Sequence, residues 1–580
     1  MHISKHAFLA AFLASVFAFG AGALAYQQPE TPSVSTPKAL VTAKRQMVVA
    51  ANPLATEAGL QILRKGGSAV DAAIATQLVL NVVEPQSSGI GGGLFLLAFD
   101  AANKTLVNID GRETAPTGAT PGLFLGKDGK PLPRGEAAES GRSVGVPGVL
   151  AALKLAHDEY GKLPWADLFA PAIKLARDGF SISPRLAAMI AKTGPGSFDA
   201  EGRAFFFDDA GRPWPSGYKL KSPKLAETFE AIAKEGPSAF YEGAIAEDIA
   251  RAVQTDPRGA GTLSVQDLAN YRAKLRDPVC VLYRQFEVCG AAPPSSGAIA
   301  VGQVLGLIEP FDLGAQPLQP TPVHLILEAE RLAFADRDRY LADPDFVTQP
   351  TGLLDRKYLQ ERRALIDPDR AQSSVAAGTP PNVREGAYGK DATRENIGTS
   401  HVSIVDADGN AVSMTTSIEK AFGSGIMVRG FLLNNELTDF SFRPVDDEGR
   451  PIANRVEPGK RPRSAMDPTM IFADGRELRY LLGSPGGPGI IIFNLKAIIA
   501  LLDWRLDPQA AAALPTFGTT GRKVLLEPGP EYEALNKALV ARGHEVQPFD
   551  FASGLAIIAV MPEGLQGGAD PRREGTAAGD

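Results

Sequence analysis

A threonine at the head of a strand pattern is the residue best placed to do chemistry in this chain. Residues 396–417 pass from a polar, loop-like stretch into the alternation of Val402, Ile404 and Val412, Met414, and Gly398-Thr399 stands at the junction. A threonine freed at a chain terminus carries two reactive groups, a hydroxyl that attacks a carbonyl and an α-amine that takes the proton. An α-amine has a reference pKa of about 7.7–8.0, so it can serve as general base near neutral pH without a histidine. A cut between Gly398 and Thr399 would create a catalyst that the intact chain lacks. Most strand threonines are structural, so the case rests on what accompanies this one.

The elements that must position it are legible in part. The alternating residues flank the turn signal Asp406-Ala407-Asp408-Gly409-Asn410 and predict a hairpin beginning at Thr399. Leu54 to Lys65 has helical periodicity and stops at Gly66-Gly67, and Ala69 to Val83 predicts a second, strongly apolar and buried helix. In Ser88-Gly89-Ile90-Gly91-Gly92-Gly93 the glycines follow a helix and enter a strand. A dinucleotide fingerprint needs the opposite order, so this loop reads as close backbone packing. Residues 148–335 are mostly helical patterns. Residues 367–398 are rich in Ser, Gly, Pro, Asn and charge and predict an exposed, mobile loop that ends at Thr399.

The 580 residues are too many for one simple core, which points to two or more lobes or one large layered domain. A net charge of −7 without a long basic run disfavours nucleic acid as a partner. Lys5 and His6 precede an uncharged run from Ala7 to Ala25 that closes on Ala23-Leu24-Ala25, a small-x-small cleavage pattern. Residues 1–25 therefore read as a secretory signal peptide, the alternative being an uncleaved anchor, and 26–44 as a linker. The mature protein is expected to be exported, periplasmic or secreted, with no membrane contact once the signal is removed. Cys280 and Cys289 flank a short hairpin pattern. If its turn centres on Arg284-Gln285 the thiols face each other and an exported protein could oxidise them; otherwise they are two small buried residues. Two cysteines and six histidines without ligand spacing argue against a metal site.

The company of Thr399 is a set of motifs in a fixed order. Asp110-Gly111-Arg112-Glu113 and Pro293-Pro294-Ser295-Ser296-Gly297 lie upstream. Gly430 to Phe440, Lys460-Arg461-Pro462-Arg463-Ser464-Ala465-Met466 and Gly483-Ser484-Pro485-Gly486-Gly487 lie downstream, with Ala569-Asp570-Pro571-Arg572 near the end. From about residue 45 onward the chain resembles the γ-glutamyltranspeptidases (glutathione hydrolases) of the N-terminal-nucleophile hydrolase superfamily. The resemblance implies an α+β fold, a four-layer αββα sandwich with a helical large-subunit portion. It implies self-cleavage before Thr399 into a large subunit, 45–398, and a small subunit, 399–580, that stay together as a heterodimer. It further implies that Thr399 attacks the γ-glutamyl amide of glutathione or a related compound, and that water, or an amino acid or peptide acceptor, then takes the acyl group. Gly486 and Gly487 match the family's oxyanion hole. Ser417 matches a threonine that hydrogen-bonds the nucleophile. Arg112 and Ser464 match the α-carboxylate site, and Glu419, Glu436 and Asp439 the α-amino site. No metal or organic cofactor is implied.

Three departures bear on the substrate. Ala465 replaces the second serine of the usual pair, removing a donor worth about 1 to 3 kcal/mol if the bond is charge-assisted. Glu419 stands where several members have asparagine. The stretch from Asp439 to Ser464, a substrate-covering lid in some relatives, is somewhat short. These leave room for the related cephalosporin acylases, which share the machinery but take another acyl chain, and for a non-catalytic exported binding paralogue. A serine hydrolase is the other enzymatic reading, because Gly141-Arg142-Ser143-Val144-Gly145 fits Gly-x-Ser-x-Gly, but no strand pattern precedes it. Denaturing electrophoresis of the purified protein should give two unequal bands, the smaller beginning at Thr399. Thr399→Ala should remain one band; a Thr399→Ala chain that still splits at Gly398-Thr399 would rule out this nucleophile.

Overall fold

The structure is a computed structural model that describes residues 35–384, 386–393, 395 and 398–580. The signal peptide read at 1–25 and residues 26–34 of the linker lie outside them. The rest of that linker is not free-running: Val41–Ala43 forms a strand paired with Gly564–Ala569, because its backbone completes a sheet edge.

Alternation along the strands creates two usable faces, and both are covered. One antiparallel sheet orders its strands Thr576–Gly579, Met47–Ala50, Thr399–Val405, Ala411–Ser417, Gly93–Asp100, Thr105–Gly111 and Lys274–Arg276. The other runs Val41–Ala43, Gly564–Ala569, Ala556–Met561, Glu477–Gly483, Thr469–Ala473, Phe286–Gly290 and Val279–Tyr283. Met47, Val49, Leu97, Phe99 and Val405 of the first sheet meet Met470, Phe472, Leu481 and Ile558 of the second. The opposite residues of the first sheet, Val48, Leu96, Val402, Ile404, Val412 and Met414, pack under a helical layer that includes Pro53–Arg64 and Ala69–Val83. Ile471, Leu482 and Ile557 of the second sheet lie against a layer that includes Gly297–Ile308, Pro320–Tyr340 and Gly489–Leu502. Helix, sheet, sheet, helix is the expected four-layer αββα sandwich.

The helices near the site form where the periodicity placed them. Asn52 caps the first by accepting from Leu54 N, and Ser68 and Asp71 close a capping box on the second. The second is buried all round because the sheet lies beneath it and further helices pack above, which is why its sequence has no polar face. The hairpin is in register from Thr399↔Ser417 to Val405↔Ala411. Sheet strands from before and after residue 398 alternate: Met47–Ala50 and Gly93–Asp100 flank the hairpin on either side. Two chains produced by a cut at Gly398-Thr399 would still share these ladders.

The described residues of 367–398 have little regular structure and are mostly exposed or half-buried, as expected, but the end of the loop turns inward: Asp391 and Glu395 are buried beside arginines from other segments. Val279–Tyr283 and Phe286–Gly290 turn at Arg284-Gln285, and Cys280 and Cys289 are opposite each other and joined in a disulfide. Among the described residues no helix is long and apolar enough to cross a membrane.

The Gly91–Gly93 loop explains how the hairpin is seated. A Cβ on Gly91 would sit 2.1 Å from Leu432 O, and one on Gly92 would sit 2.0 Å from Ser417 O. Backbone cannot yield as a side chain can, so Gly92→Ala must displace the strand that faces Thr399. The expected result is a soluble chain with mostly unprocessed precursor on a denaturing gel. Wild-type processing of Gly92→Ala would contradict this seating.

Candidate active site

Thr399 opens its strand with its side chain on the face shared by His401 and Ser403, toward the second sheet. Its cross-strand partner is Ser417, and the pairing brings the two hydroxyls together: Thr399 Oγ1 donates to Ser417 Oγ at 3.3 Å. Ser417 Oγ in turn donates to the Gly398 carbonyl at 2.6 Å and accepts from Glu419 N at 2.8 Å. One hydroxyl thus touches both the Thr399 hydroxyl and the carbonyl of the Gly398-Thr399 peptide. Gly398 fits only as glycine, since a Cβ would come 2.4 Å from Glu419 O. Arg573 Nη1 donates to Thr399 O at 3.2 Å and fixes the other side of the residue.

Thr399, Ser417, Glu419, Glu436, Asp439, Ser464 and Gly487 line one cleft, together with Glu395, Ala465, Met466 and Ile490. The cavity is only about 20 Å³, room for little more than one water. Arg112 and Gly486 are not among its lining residues. Gly486 and Gly487, with φ of +142° and +55°, make the turn from the Glu477–Gly483 strand into the Gly489–Leu502 helix. Their backbone lies at a helix N-terminus, where N–H groups lack intrahelical partners and the dipole favours negative charge. Ser464 is held by its N–H on Pro294 O at 2.9 Å, and its Oγ accepts from Met466 N at 3.1 Å.

Arg112 follows the Thr105–Gly111 strand and is wholly buried. Nη1 donates to Glu436. Nη2 donates to Asp439 Oδ2 at 2.6 Å and to Arg463 O at 2.9 Å, and Nε to Pro462 O at 3.1 Å. Every nitrogen of the guanidinium is engaged, so the arginine expected to meet a carboxylate here binds the two acids expected to meet an amine. Burial raises the pKa values of Glu436 and Asp439 well above the carboxylate range despite Arg112. Glu113, buried beside Arg112, is pushed up to about 7 by the same desolvation. Glu436 Oε2 and Asp439 Oδ1 have no hydrogen-bond partner among the described residues, so two buried acceptors remain for a donor-rich ligand. Glu419 adopts φ +76° and pairs with Arg134 at 3.3 Å and with Asn435 Nδ2.

Sequence reading did not find Glu395. It lies four residues before Thr399, and only its charge in an otherwise polar stretch was visible. Arg337 Nη2 donates to its carboxylate, as do Arg463 Nε at 3.3 Å and Nη2 at 3.2 Å. Ser143, of the Gly-x-Ser-x-Gly match, donates to Ala138 O and Ser140 O, both at 2.8 Å, from a buried 3-10 turn. That hydroxyl is tied to backbone.

His401 is the histidine nearest Thr399 in sequence. Its ring nitrogens face Thr415 Oγ1 at 2.8 Å and Ser403 Oγ at 3.2 Å, and burial lowers its pKa to about 3. It stays neutral at working pH. The unfolded chain protonates this histidine below about pH 6.5 while the folded one does not until about pH 3, so folding stability falls with pH in that window. The slope is at most about 1.4 kcal/mol per pH unit. The melting temperature of His401→Gln should therefore fall less steeply between pH 6 and pH 4 than that of wild type. Parallel curves would show that His401 is not buried neutral.

Comparison with known proteins follows the same lines. The gamma-glutamyltranspeptidase family model matches residues 55–580. The glutathione hydrolase proenzyme of Bacillus subtilis (strain 168) is 37% identical, over 92% of each chain. The acylase ACY 1 proenzyme of Pseudomonas sp. (strain SE83) is 36% identical, over 94% of this chain and 96% of that one. The crystal structure of a cephalosporin acylase from Bacillus halodurans superposes with a TM-score of 0.82 at 29% identity, covering 96% of this chain and 99% of that one.

Proposed function

The chain belongs to the γ-glutamyltranspeptidase family, and on that premise we propose that it matures by cutting itself at Gly398-Thr399 and that Thr399 is the nucleophile of the mature enzyme. Its activity is that of a γ-glutamyltransferase or glutathione hydrolase. The observation that carries the site assignment is the placement of Ser417 Oγ between Thr399 Oγ1 and the Gly398 carbonyl.

In the uncut chain Thr399 Oγ attacks the Gly398 carbonyl carbon. The Ser417 hydroxyl, already donating to that carbonyl oxygen, stabilises the charge that develops there. The C–N bond breaks, the α-amine of Thr399 leaves protonated, and an ester joins Gly398 to Thr399 Oγ. Water hydrolyses the ester and yields a large subunit that ends at Gly398 and a small subunit of residues 399–580. The new α-amine then accepts the Thr399 hydroxyl proton for each turnover. Thr399 Oγ attacks the γ-carbonyl of the donor, and the N–H groups of Gly486 and Gly487 receive the oxyanion. The amine product leaves with the proton, and water or an acceptor amine takes the acyl group. Glu419, Glu436 and Asp439 suit the donor's ammonium and Ser464 its carboxylate, which Arg112 meets only by exchanging its bonds to Glu436 and Asp439. The disulfide suits an oxidising compartment, in keeping with an exported protein.

Ala465 and the similarity to acylases favour one second reading, hydrolysis of an amide whose acyl chain lacks the glutamyl head. A pair of substrates separates them. Glutaryl anilide keeps the carboxylate of γ-glutamyl anilide and lacks only its ammonium. The proposed enzyme should turn over the γ-glutamyl compound at least about 10-fold faster, as expected when buried acids are left without a cation. Equal rates would favour the acylase reading. Ser417→Ala should slow precursor cleavage by about 10²–10³-fold, the usual effect of losing one oxyanion donor. Conversion at the wild-type rate in a gel time course would remove Ser417 from the mechanism.

A further inference from the structure

We infer that Arg573 is a positioning residue of the reaction, a fixed cation that keeps the α-amine freed at Thr399 in its basic form. That role exists only after the proposed cut at Gly398-Thr399 and so rests on it. Strand geometry directs the amine. At the turn of the hairpin Asp406 N donates to Asn410 O at 2.9 Å. Backbone polar groups face the two edges of a strand alternately, so the even-numbered residues of Thr399–Val405 address the partner strand and the odd-numbered ones the opposite edge. Thr399 therefore turns its nitrogen and its carbonyl away from the strand of Ser417, toward the side on which Met47–Ala50 pairs. That strand ends at the pair Val402↔Ala50. Beyond it Arg573 takes the open edge, its Nη1 donating to Thr399 O at 3.2 Å. The nitrogen and carbonyl oxygen of one extended residue lie about 3 Å apart on the same edge, which puts the guanidinium about 4–6 Å from the atom that becomes the α-amine.

The cation is held there by groups that the cut leaves in place. Arg573 is buried, and its Nε donates to Ala552 O at 2.9 Å. A Cβ on Gly554 would come 2.8 Å from Arg573 Cδ, so the stem of the side chain has no slack. Lys38 Nζ donates to Asp570 O and to Arg573 O, both at 2.7 Å, and Thr36 N donates to Pro571 O at 3.0 Å. A segment that precedes the first strand thus pins the loop that carries Arg573. The neighbouring Gly554 N donates to Ser484 Oγ at 3.1 Å, two residues before Gly486. One brace therefore serves both the start of the Thr399 strand and the glycine turn.

Acids face the same place from several segments. Glu395, Glu419, Glu436 and Asp439 line the cleft with Thr399, and Glu395 is held ionised by Arg337 and Arg463. Behind the strand Ser400 Oγ donates to Glu84 Oε2 at 3.2 Å. Glu84 pairs with Arg185 at 3.1 Å, and Arg185 N donates to Glu574 at 3.1 Å. His401, on the same strand, is neutral. A carboxylate favours the ammonium form of a nearby amine, and an ammonium cannot accept the Thr399 hydroxyl proton. A guanidinium at this range acts in the opposite sense, because a like charge disfavours the ammonium. Arginine suits the task, since it stays charged across the working pH range and accepts no proton itself.

The test follows kcat/KM for γ-glutamyl anilide on processed protein between about pH 5 and pH 10, where the acid limb reports the pKa of the free enzyme's base. Arg573→Met removes the charge, so the limb should move up by about one pH unit, and the rate lost relative to wild type should be about tenfold greater at pH 6 than at pH 9. Arg573→Lys keeps the charge, and its limb should stay within about 0.3 units of wild type. An arginine that only braces the fold would cost the same factor at every pH; that result, or equal shifts in both variants, would overturn the inference. A second arm uses wild type alone and decides the matter if Arg573→Met stays uncut. Reductive methylation of the Thr399 α-amine, read against pH by mass spectrometry of the small subunit, should have its midpoint below about 7.7, the lower end of the reference range for an α-amine. A midpoint at or above that value would overturn the inference. Whether wild type is cut at Thr399 and turns over γ-glutamyl anilide is read first, so failure of the broader proposal is distinguishable.

Discussion

A buried guanidinium must be answered by carboxylates, and the walls of this cleft are arranged around three of them. Arg112 gathers Glu436 and Asp439 with Glu113 nearby, and Arg337 and Arg463 together hold Glu395. In a medium of low dielectric, breaking such a pair leaves an uncompensated charge and is far more damaging than losing a surface contact. This is why segments distant in sequence, near residues 112, 337, 395, 436 and 463, are fixed relative to one another. It is also why a loop read as exposed is drawn inward at its end. The burial that strains these acids leaves some of their oxygens without partners, which is the condition for recognising a cation.

The proposed nucleophile depends on that frame but is positioned by backbone. A ladder pair sets Thr399 opposite Ser417, and the Gly92 backbone packs against Ser417 so closely that no side chain fits between them. The hydroxyl geometry is thus inherited from strand register, and a register slip of one residue would turn Thr399 to the other face. Because strands from both sides of residue 398 alternate in the same sheet, the bond can be broken without separating the pieces. The hydrogen bonds that hold the sheet do not run through the severed peptide.

Self-cleavage and turnover ask the same groups to do related work. A hydroxyl that attacks a carbonyl needs a base and a donor for the developing charge. In the proposed mechanism Ser417 is the donor to the Gly398 carbonyl before the cut, when no α-amine exists at Thr399. After it, the proposed base is the new amine and the proposed donors are those of the glycine turn. His401 is buried and neutral with its nitrogens on hydroxyl groups, and the proposed steps do not use it.

By itself the sequence determined what is local. The hairpin, the helices read over 54–65 and 69–83 and the tight glycine loop follow from alternation, periodicity and the absence of side chains. Thr399 was marked by its place at a loop-to-strand junction, and the motifs around it carried the family resemblance and with it the four layers. The tertiary structure alone decided how the charges are distributed. Nothing at Arg112 indicates that Glu436 and Asp439 take up its terminal nitrogens, and nothing at Glu395 indicates a burial shared with Arg337 and Arg463. Cys280 and Cys289 were left open until the turn brought them opposite each other. Periodicity reports which face of an element is apolar, whereas the pairing of buried charges depends on which distant segments the fold brings within a few ångströms. In this cleft that pairing sets which acid is held ionised and which is not.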